Sequence, residues 1–128
     1  KPIFVIRRSE AMLARLSEKS ERLADPQSDR EQQPSYAKNE TRSIRPDVAI
    51  LVGLCTHLSC SPKFRPAITP QSFDPEWVGG FYCPCHGSKF DLAGRVYQGV
   101  PAPSNLEVPP HYYETDDVVV IGEDEGVA

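Results

Sequence analysis

The chain has 128 residues, which is enough for one domain with a modest core that a metal centre or a disulfide would help to stabilise. Its net charge is −4, its acidic and basic residues are interleaved, and no basic patch carries aromatic residues, which argues against a nucleic-acid-binding surface. Thirteen prolines, against an average usage of about 5%, favour rigid loops and β structure over a helical bundle. No apolar stretch approaches the roughly 20 residues of a membrane helix, and no secretion signal stands at the start. The first residue is not methionine, which suits a processed or truncated piece of a longer protein whose amino-terminal anchor is missing.

The first third of the chain predicts a strand, a helix and a polar excursion. Residues 3–7 are typical of a strand, and Ser9 is placed as the N-cap of a helix over residues 9–24, where apolar residues recur at helical spacing. Pro26 ends the pattern. Residues 25–46 are polar, contain prolines and are too long for an ordinary connector, so we expect an excursion over the surface, and they suggest no function.

Two further strands are predicted on either side of a region rich in Gly, Pro, Ser, Cys and aromatic residues. Residues 48–54 (VAILVGL) form a continuous apolar run, which predicts a strand buried on both faces that leads directly to Cys55. Residues 118–122 (VVVIG) predict a closing strand, which we expect to pair with the strands before Cys55. The acidic last six residues are expected to fray.

The region between these strands contains only short strand candidates, at residues 80–82 and 89–91. We therefore predict a single domain over residues 1–128 with a small lobe inserted into a β base. The base covers about residues 1–53 and 104–122, and the inserted lobe about 54–103.

All four cysteines and two of the three histidines lie in two short boxes, CTHLSC at residues 55–60 and CPCHGS at residues 83–88. Each box supplies one cysteine and one histidine at the close spacing that a metal needs, and two such loops facing each other can close one site. Each box also contains one cysteine more than two thiolates and two imidazoles require, namely Cys60 and Cys85. The simplest interpretation is a disulfide between these two, which needs an oxidising compartment. An all-thiolate site, or two independent disulfides without a metal, would leave the histidine spacing as a coincidence.

Thiolates combined with imidazoles suit either zinc or an iron-sulfur cluster, and the ligand type alone does not choose. The charge of the site helps to distinguish zinc from an iron-sulfur cluster. Two thiolates cancel the double positive charge of a fully ferric 2Fe-2S core, so such a site accepts an electron readily, at about −150 to +300 mV against about −400 mV for plant-type clusters. Reduction also makes the imidazoles more basic, which couples electron uptake to proton uptake and suits the oxidation of a quinol.

The two boxes resemble those of the Rieske protein of cytochrome bc complexes. The run Gly99–Pro103 (GVPAP) resembles the proline loop of that family, Asn105–Pro109 (NLEVP) resembles the strand that leaves it, and the opening KPIFV also fits. The similarity is weakest over residues 25–46. The resemblance implies a mainly β Rieske fold, in which antiparallel sheets form a sandwich and a small cluster-binding subdomain is inserted, with one helix and a long loop.

The resemblance also implies a set of site residues. The 2Fe-2S cluster would be held by Cys55 and Cys83 on the inner iron and by His57 and His86 on the outer iron, with Cys60 and Cys85 as the disulfide. An exposed His57 or His86 would contact the quinol and carry the proton that is linked to reduction. Leu58, which we expect to be exposed beside a ligand, and Pro101 in the proline loop would take part in docking.

Two positions depart from the common pattern of the family. Ser59 stands where a glycine is usual, in the turn between ligand and disulfide, and we expect the turn to survive. Phe90 stands where respiratory members often carry a tyrosine whose hydroxyl binds a ligand sulfur, whereas the companion donor Ser88 is retained. Loss of one donor to the reduced cluster predicts a lowered reduction potential.

The function that the resemblance implies is one-electron transfer within a ubiquinol-cytochrome c reductase. The chain would take an electron from quinol beside the cytochrome b subunit and pass it to a c-type cytochrome, on the extracytoplasmic (periplasmic) face of the inner membrane. The complex is the enzyme, and the isolated chain is a carrier only. A Rieske ferredoxin, an oxygenase-type Rieske domain and a structural zinc module are the alternatives, and the extra cysteine pair argues against each. We expect His111 to be an ordinary surface or packing residue, and Trp77, Phe81 and Tyr82 to be core.

Overall fold

The first sheet delivers the chain to the first cysteine box. A computed structural model describes residues 1–18 and 20–123, and in it β1 (Ile3–Arg7) pairs antiparallel with β2 (Val48–Val52). β2 is buried from its second residue onward, as its apolar run predicts. It ends two residues earlier than predicted: the Gly53 N–H still donates to the carbonyl of Pro2 at 2.8 Å, but Pro2 has no N–H with which to continue the pairing.

The second sheet carries the second cysteine box. It consists of β3 (Lys63–Arg65), β4 (Gly80–Tyr82) and β5 (Lys89–Phe90) in antiparallel order. Gly80 has a φ of 148°, and a Cβ there would overlap the carbonyl of Phe90, so this close crossing admits only glycine. β3 was not predicted, because its three residues, KFR, contain a single apolar side chain between two charged ones. The division into base and inserted lobe stays a prediction.

The third sheet is a hairpin of β6 (His111–Thr115) and β7 (Val118–Ile121), with an irregularity in register between Tyr113 and Thr115. The strand at residues 118–121 is therefore confirmed, but its predicted pairing with the strands before Cys55 was wrong. The turn of only two residues before β7 makes the preceding segment its natural partner. The predicted fraying of the last residues falls mainly on 124–128, which lie outside the described residues.

One short helix follows β1. α1 spans Glu10–Ala14, and Ser9 is its N-cap as predicted, since its hydroxyl accepts the N–H of Met12 at 3.2 Å. The predicted extent of the helix, residues 9–24, was wrong. Beyond α1, the described residues of this stretch form two 3₁₀ turns, Arg15–Ser17 and Ser20–Arg22.

Tertiary contacts explain why the helix stops. The guanidinium of Arg95 donates to the carbonyl of Leu16 at 2.5 Å, which takes away an acceptor that a continuing helix would use. Leu23 then forms an isolated antiparallel bridge with Tyr97. Both contacts join residues more than seventy positions apart, so the local pattern of apolar residues did not reveal them.

The excursion at residues 25–46 is anchored by two buried arginines. Arg42 donates to the carbonyl of Ala93 at 3.0 Å, and Arg8 donates to the carbonyls of Thr41 and Leu92 at 2.9 and 3.0 Å. Burial lowers the pKa of each guanidinium to about 10, so both remain charged at neutral pH. The excursion is thus fastened to the segment that follows β5.

The main core lies between the first two sheets. Phe4 of β1 stacks on Phe81 of β4 with ring centroids 5.3 Å apart, and β2 and β5 add further buried apolar side chains. Trp77 and Phe81 are buried, as expected of core residues, while Tyr82 is half-buried. Within residues 1–18 and 20–123, no helix is long and apolar enough to cross a membrane.

Candidate metal centre

The first cysteine box is a tight loop at the end of β2. The N–H of Cys55 donates to the carbonyl of Cys60 at 2.6 Å, and the carbonyl of Cys55 accepts the N–H of Ser59 at 2.9 Å. Ser59 has a φ of 61°, in the left-handed region. The serine therefore adopts the backbone conformation for which glycine is better suited, and the expected turn is retained.

The second box, at the end of β4, repeats this hydrogen-bonding pattern. The N–H of Cys83 donates to the carbonyl of Ser88 at 2.8 Å, and the carbonyl of Cys83 accepts the N–H of Gly87 at 2.9 Å. Gly87 has a φ of 82°, and it occupies the same place in its loop as Ser59 does in the other. Both loops thus present a cysteine first and reverse direction at the fifth residue.

Each loop contributes one free thiol to the interior. Cys55 and Cys83 are both buried and unbonded to another cysteine, and both belong to the main cluster of buried core residues. Burial raises the pKa of Cys55, although the His57 N–H and the Ser88 hydroxyl act on the thiol in the direction that lowers its pKa. These donors stabilise negative charge on the sulfur, as a metal-bound thiolate requires.

Each loop also contributes one imidazole. The rings of His57 and His86 have centroids 4.8 Å apart and lie nearly perpendicular, at 86°. His86 is exposed and His57 is half-buried. The Nδ1 atom of His57 is buried and has no hydrogen-bond partner within the described part of the chain.

The remaining two cysteines connect the loops. Cys60 and Cys85 form a disulfide with a Cα–Cα distance of 6.6 Å, which confirms the predicted pairing. The sulfur atoms of Cys60, Cys83 and Cys85 lie within 4.8 Å of one another. Because two of these three sulfurs are bonded together, the group marks a disulfide beside a free thiol and not a three-thiolate site.

The proline loop packs against both boxes. The N–H of Ala102 donates to the hydroxyl oxygen of Ser88 at 3.0 Å, and the hydroxyl of Thr56 donates to the carbonyl of Ser104 at 2.6 Å. Pro101, the residue before Ala102, is exposed. The loop therefore encloses the buried side of the site while one proline remains at the surface.

The other predicted residues are placed as follows. Leu58 is 63% exposed at the tip of the first box, and Phe90 is fully buried opposite Phe81. His111 is buried outside the site, with its Nδ1 2.9 Å from the carbonyl of Pro109, so its packing role is confirmed.

One residue beside the site was not predicted. Asp74 is buried and accepts hydrogen bonds from Arg22 at 2.7 Å and from Lys89 of β5 at 3.1 Å. Burial alone would raise its pKa, but hydrogen bonds from the Glu76 N–H, Arg22 and Lys89 outweigh burial and hold the pKa of Asp74 below its usual value. Its partners are 52 and 15 positions away, so no local pattern indicated it.

These donors fit a cluster that needs two thiolates and two imidazoles. The two free thiols are buried in one cluster, the two imidazoles are adjacent, and one buried imidazole nitrogen has no hydrogen-bond partner among the residues that the structure describes. This arrangement is typical of small β proteins that bind a metal through the thiols and imidazoles of two facing loops.

Residues 32–110 match the family model described as the Rieske [2Fe-2S] domain, and the chain belongs to this family. It is 53% identical over 128 residues to the ubiquinol-cytochrome c reductase iron-sulfur subunit of Allochromatium vinosum. It is 42% and 39% identical over 123 residues to the mitochondrial cytochrome b-c1 complex subunit Rieske of Gallus gallus and of Bos taurus. The chain is covered completely by the first match and to 95% by the other two, and it spans 62% of the bacterial relative's length and 38% of each mitochondrial one.

Proposed function

We propose that this chain is the electron-carrying head of the iron-sulfur subunit of a ubiquinol-cytochrome c reductase. Its 2Fe-2S cluster is held by Cys55, His57, Cys83 and His86. The observation that carries the proposal is the pairing of two buried free thiols with two adjacent imidazoles, one of which has a buried nitrogen with no partner in the described ranges 1–18 and 20–123. The names of the relatives from Allochromatium vinosum and Gallus gallus support the assignment.

The two kinds of ligand have different tasks. The buried thiolates of Cys55 and Cys83 would hold one iron of the cluster, and the imidazoles of His57 and His86, which are nearer the surface, would hold the other. The bound cluster supplies a one-electron acceptor. If His57 ligates through its buried Nδ1, its Nε2 is the atom left to accept a hydrogen bond from the quinol and to hold the proton released on oxidation.

The surface around the two histidines is the proposed docking site. Leu58 and Pro101 are both exposed, and apolar side chains in such positions often belong to interfaces. The proposed partners are the cytochrome b subunit with its quinol, and then a c-type cytochrome as electron acceptor. The Cys60–Cys85 disulfide supports a place on the extracytoplasmic, periplasmic face of the inner membrane. An amino-terminal anchor would lie beyond these 128 residues and stays a prediction.

Iron and acid-labile sulfide analysis with EPR of the reduced protein tests the ligand set. His57→Gln and His86→Gln should each abolish the Rieske-type EPR signal, because each removes an iron ligand. His111→Gln is the control, since His111 is the third histidine of the chain and lies outside the site, where its Nδ1 is 2.9 Å from the carbonyl of Pro109. A colourless protein that contains zinc, or a signal retained in either ligand variant, would overturn the assignment.

Electron transfer to a c-type cytochrome tests the function. The chemically reduced protein, mixed with an oxidised c-type cytochrome, should reduce it, and the cluster should titrate between about −150 and +300 mV. The potential should fall as the pH rises past neutrality, because reduction raises the basicity of the imidazoles. A potential near about −400 mV that is insensitive to pH would instead favour a ferredoxin-type carrier.

A further inference from the structure

The disulfide of the site has a free thiol as its neighbour. The sulfur atoms of Cys60, Cys83 and Cys85 lie within 4.8 Å of one another, and the bond joins Cys60 to Cys85. A disulfide is exchanged when a thiolate attacks one of its two sulfur atoms, so the rate depends on how close a thiol lies and which sulfur it reaches. Cys83 therefore lies where exchange within one molecule needs its nucleophile.

The two sulfur atoms of the disulfide are unequal as targets. Cys85 is exposed, whereas Cys60 is half-buried. An attack on Cys60 releases the sulfur of Cys85 as a thiolate that water can solvate, and a thiolate that is more stable leaves faster. An attack on Cys85 would instead bond Cys83 to Cys85 across a single residue, Pro84, whose ring fixes its φ. Exchange is therefore directed to the sulfur of Cys60.

We propose that Cys83 is an internal thiol–disulfide exchange site, which converts the Cys60–Cys85 bond into a Cys60–Cys83 bond whenever iron does not hold its sulfur. The Cys83 thiol gives its proton to solvent, and its sulfur bonds to the sulfur of Cys60. The electron pair of the broken bond leaves with Cys85, which takes up a proton. No oxidant or reductant is consumed, because one disulfide is present before and after the step. The inference rests on the proposed function, in which Cys83 ligates the cluster, since exchange takes that ligand away.

The two bonded forms should be similarly populated at equilibrium. Both bonds use Cys60, connect the same two loops and close almost the same length of chain, so the loop-closure entropy hardly differs between them. The original form leaves the buried thiol of Cys83 free, and the exchanged form leaves the exposed thiol of Cys85 free. We therefore expect the exchanged bond in about half of the iron-free chains.

Differential labelling of the thiols tests the exchange. Cys55→Ser and Cys83→Ser are a matched pair, because each lacks one proposed thiolate ligand and only the second lacks the sulfur beside the disulfide. Each iron-free variant is denatured in acid to stop exchange, its free thiols are labelled with N-ethylmaleimide, and its remaining cysteines are reduced and labelled with iodoacetamide. Mass spectrometry of the peptides then locates the labels. In Cys55→Ser, Cys83 and Cys85 should each carry maleimide in about half of the chains, whereas Cys85 of Cys83→Ser should carry none.

The unsubstituted chain provides the second measurement. Cys85 should carry no maleimide in the loaded protein. After iron is removed with a chelator, the maleimide should move from Cys83 to Cys85 with time, and the uptake of added iron and sulfide should fall in parallel.

Maleimide that stays off Cys85 in both Cys55→Ser and the chelated protein would overturn the inference while leaving the proposed function intact. Equal labelling of Cys85 in Cys55→Ser and Cys83→Ser would do the same, because the exchange would then not depend on Cys83. Failure of the unsubstituted chain to bind iron would instead overturn the proposed function, and the labels of the two variants would still decide whether Cys83 attacks the disulfide.

Discussion

Restoring a tyrosine at position 90 is predicted to raise the reduction potential. Phe90 is fully buried, two residues after Ser88, and side chains two apart along an extended segment share a face. Ser88 closes the loop that begins at Cys83, whose N–H donates to the Ser88 carbonyl, so a phenolic hydroxyl added to Phe90 enters the neighbourhood of a proposed ligand. Phe90→Tyr therefore adds a second donor where the resemblance to the respiratory members of the family implies one.

The size of the shift in reduction potential follows from the burial of Phe90. A hydrogen bond to a charged group contributes about 1.5 to 3 kcal/mol, and the complete burial of Phe90 removes screening by water. Only the difference between the two oxidation states changes the potential. If half of the hydrogen-bond energy is gained on reduction, the difference is about 0.7 to 1.5 kcal/mol, which corresponds to roughly 30 to 65 mV for a one-electron couple.

Redox titration of the loaded protein, followed by EPR, measures this shift. The matched control is Phe64→Tyr, because Phe64 lies opposite Phe81, which lies opposite Phe90, in one row across the second sheet. Two strand spacings, about 10 Å, separate its ring from that of Phe90, so the potential of this variant should not change. An unchanged or lower potential in Phe90→Tyr at equal iron content, or an equal rise in Phe64→Tyr, would refute the reasoning.

Other predictions concern stability and are measured by denaturant unfolding of the loaded protein. Asp74→Asn should lower the free energy of unfolding by about 2 kcal/mol, since it leaves two cations without their carboxylate, whereas exposed Asp117→Asn should change it little. Because the pKa of Asp74 is lowered in the folded protein, its stabilisation is present above about pH 4 and is lost as the pH falls through the folded pKa. The free energies of unfolding of wild type and Asp74→Asn should therefore converge in acid. A difference between them that stays constant with pH would contradict this. Replacing Cys60 and Cys85 together by serine should cost about 3.5 kcal/mol for a sequence separation of 25, and no loss would argue against a stabilising role for the disulfide. Ser59→Gly should stabilise by up to about 1 kcal/mol, because relief of a left-handed conformation exceeds the added chain entropy, and a destabilised variant would show that the serine side chain is needed.

The parts of the site that the sequence predicted are those encoded within a few residues. Cys55 and His57 stand two positions apart, and the surplus of one cysteine in each box indicated the Cys60–Cys85 bond before any geometry was known. The turn at Ser59 also followed from its place in the loop.

The parts that were missed depend on contacts between distant segments. The helix was predicted too long because the Leu16 carbonyl is taken by Arg95, and Asp74 gave no signal because its cations lie far away in sequence. The donor at Ala102 is a backbone N–H, which every residue except proline possesses, so no side-chain pattern could single it out.

EPR hyperfine spectroscopy of the reduced protein, with and without ¹⁵N-histidine labelling, tests the central claim most directly. If His57 and His86 both bind the cluster, two strongly coupled histidine nitrogens will be seen, and labelling will change the couplings of both. The same two couplings should persist in His111→Gln, which leaves only the two proposed ligands among the three histidines of the chain. A reduced cluster without strongly coupled histidine nitrogen, or with a coupling that disappears in His111→Gln, would contradict the account.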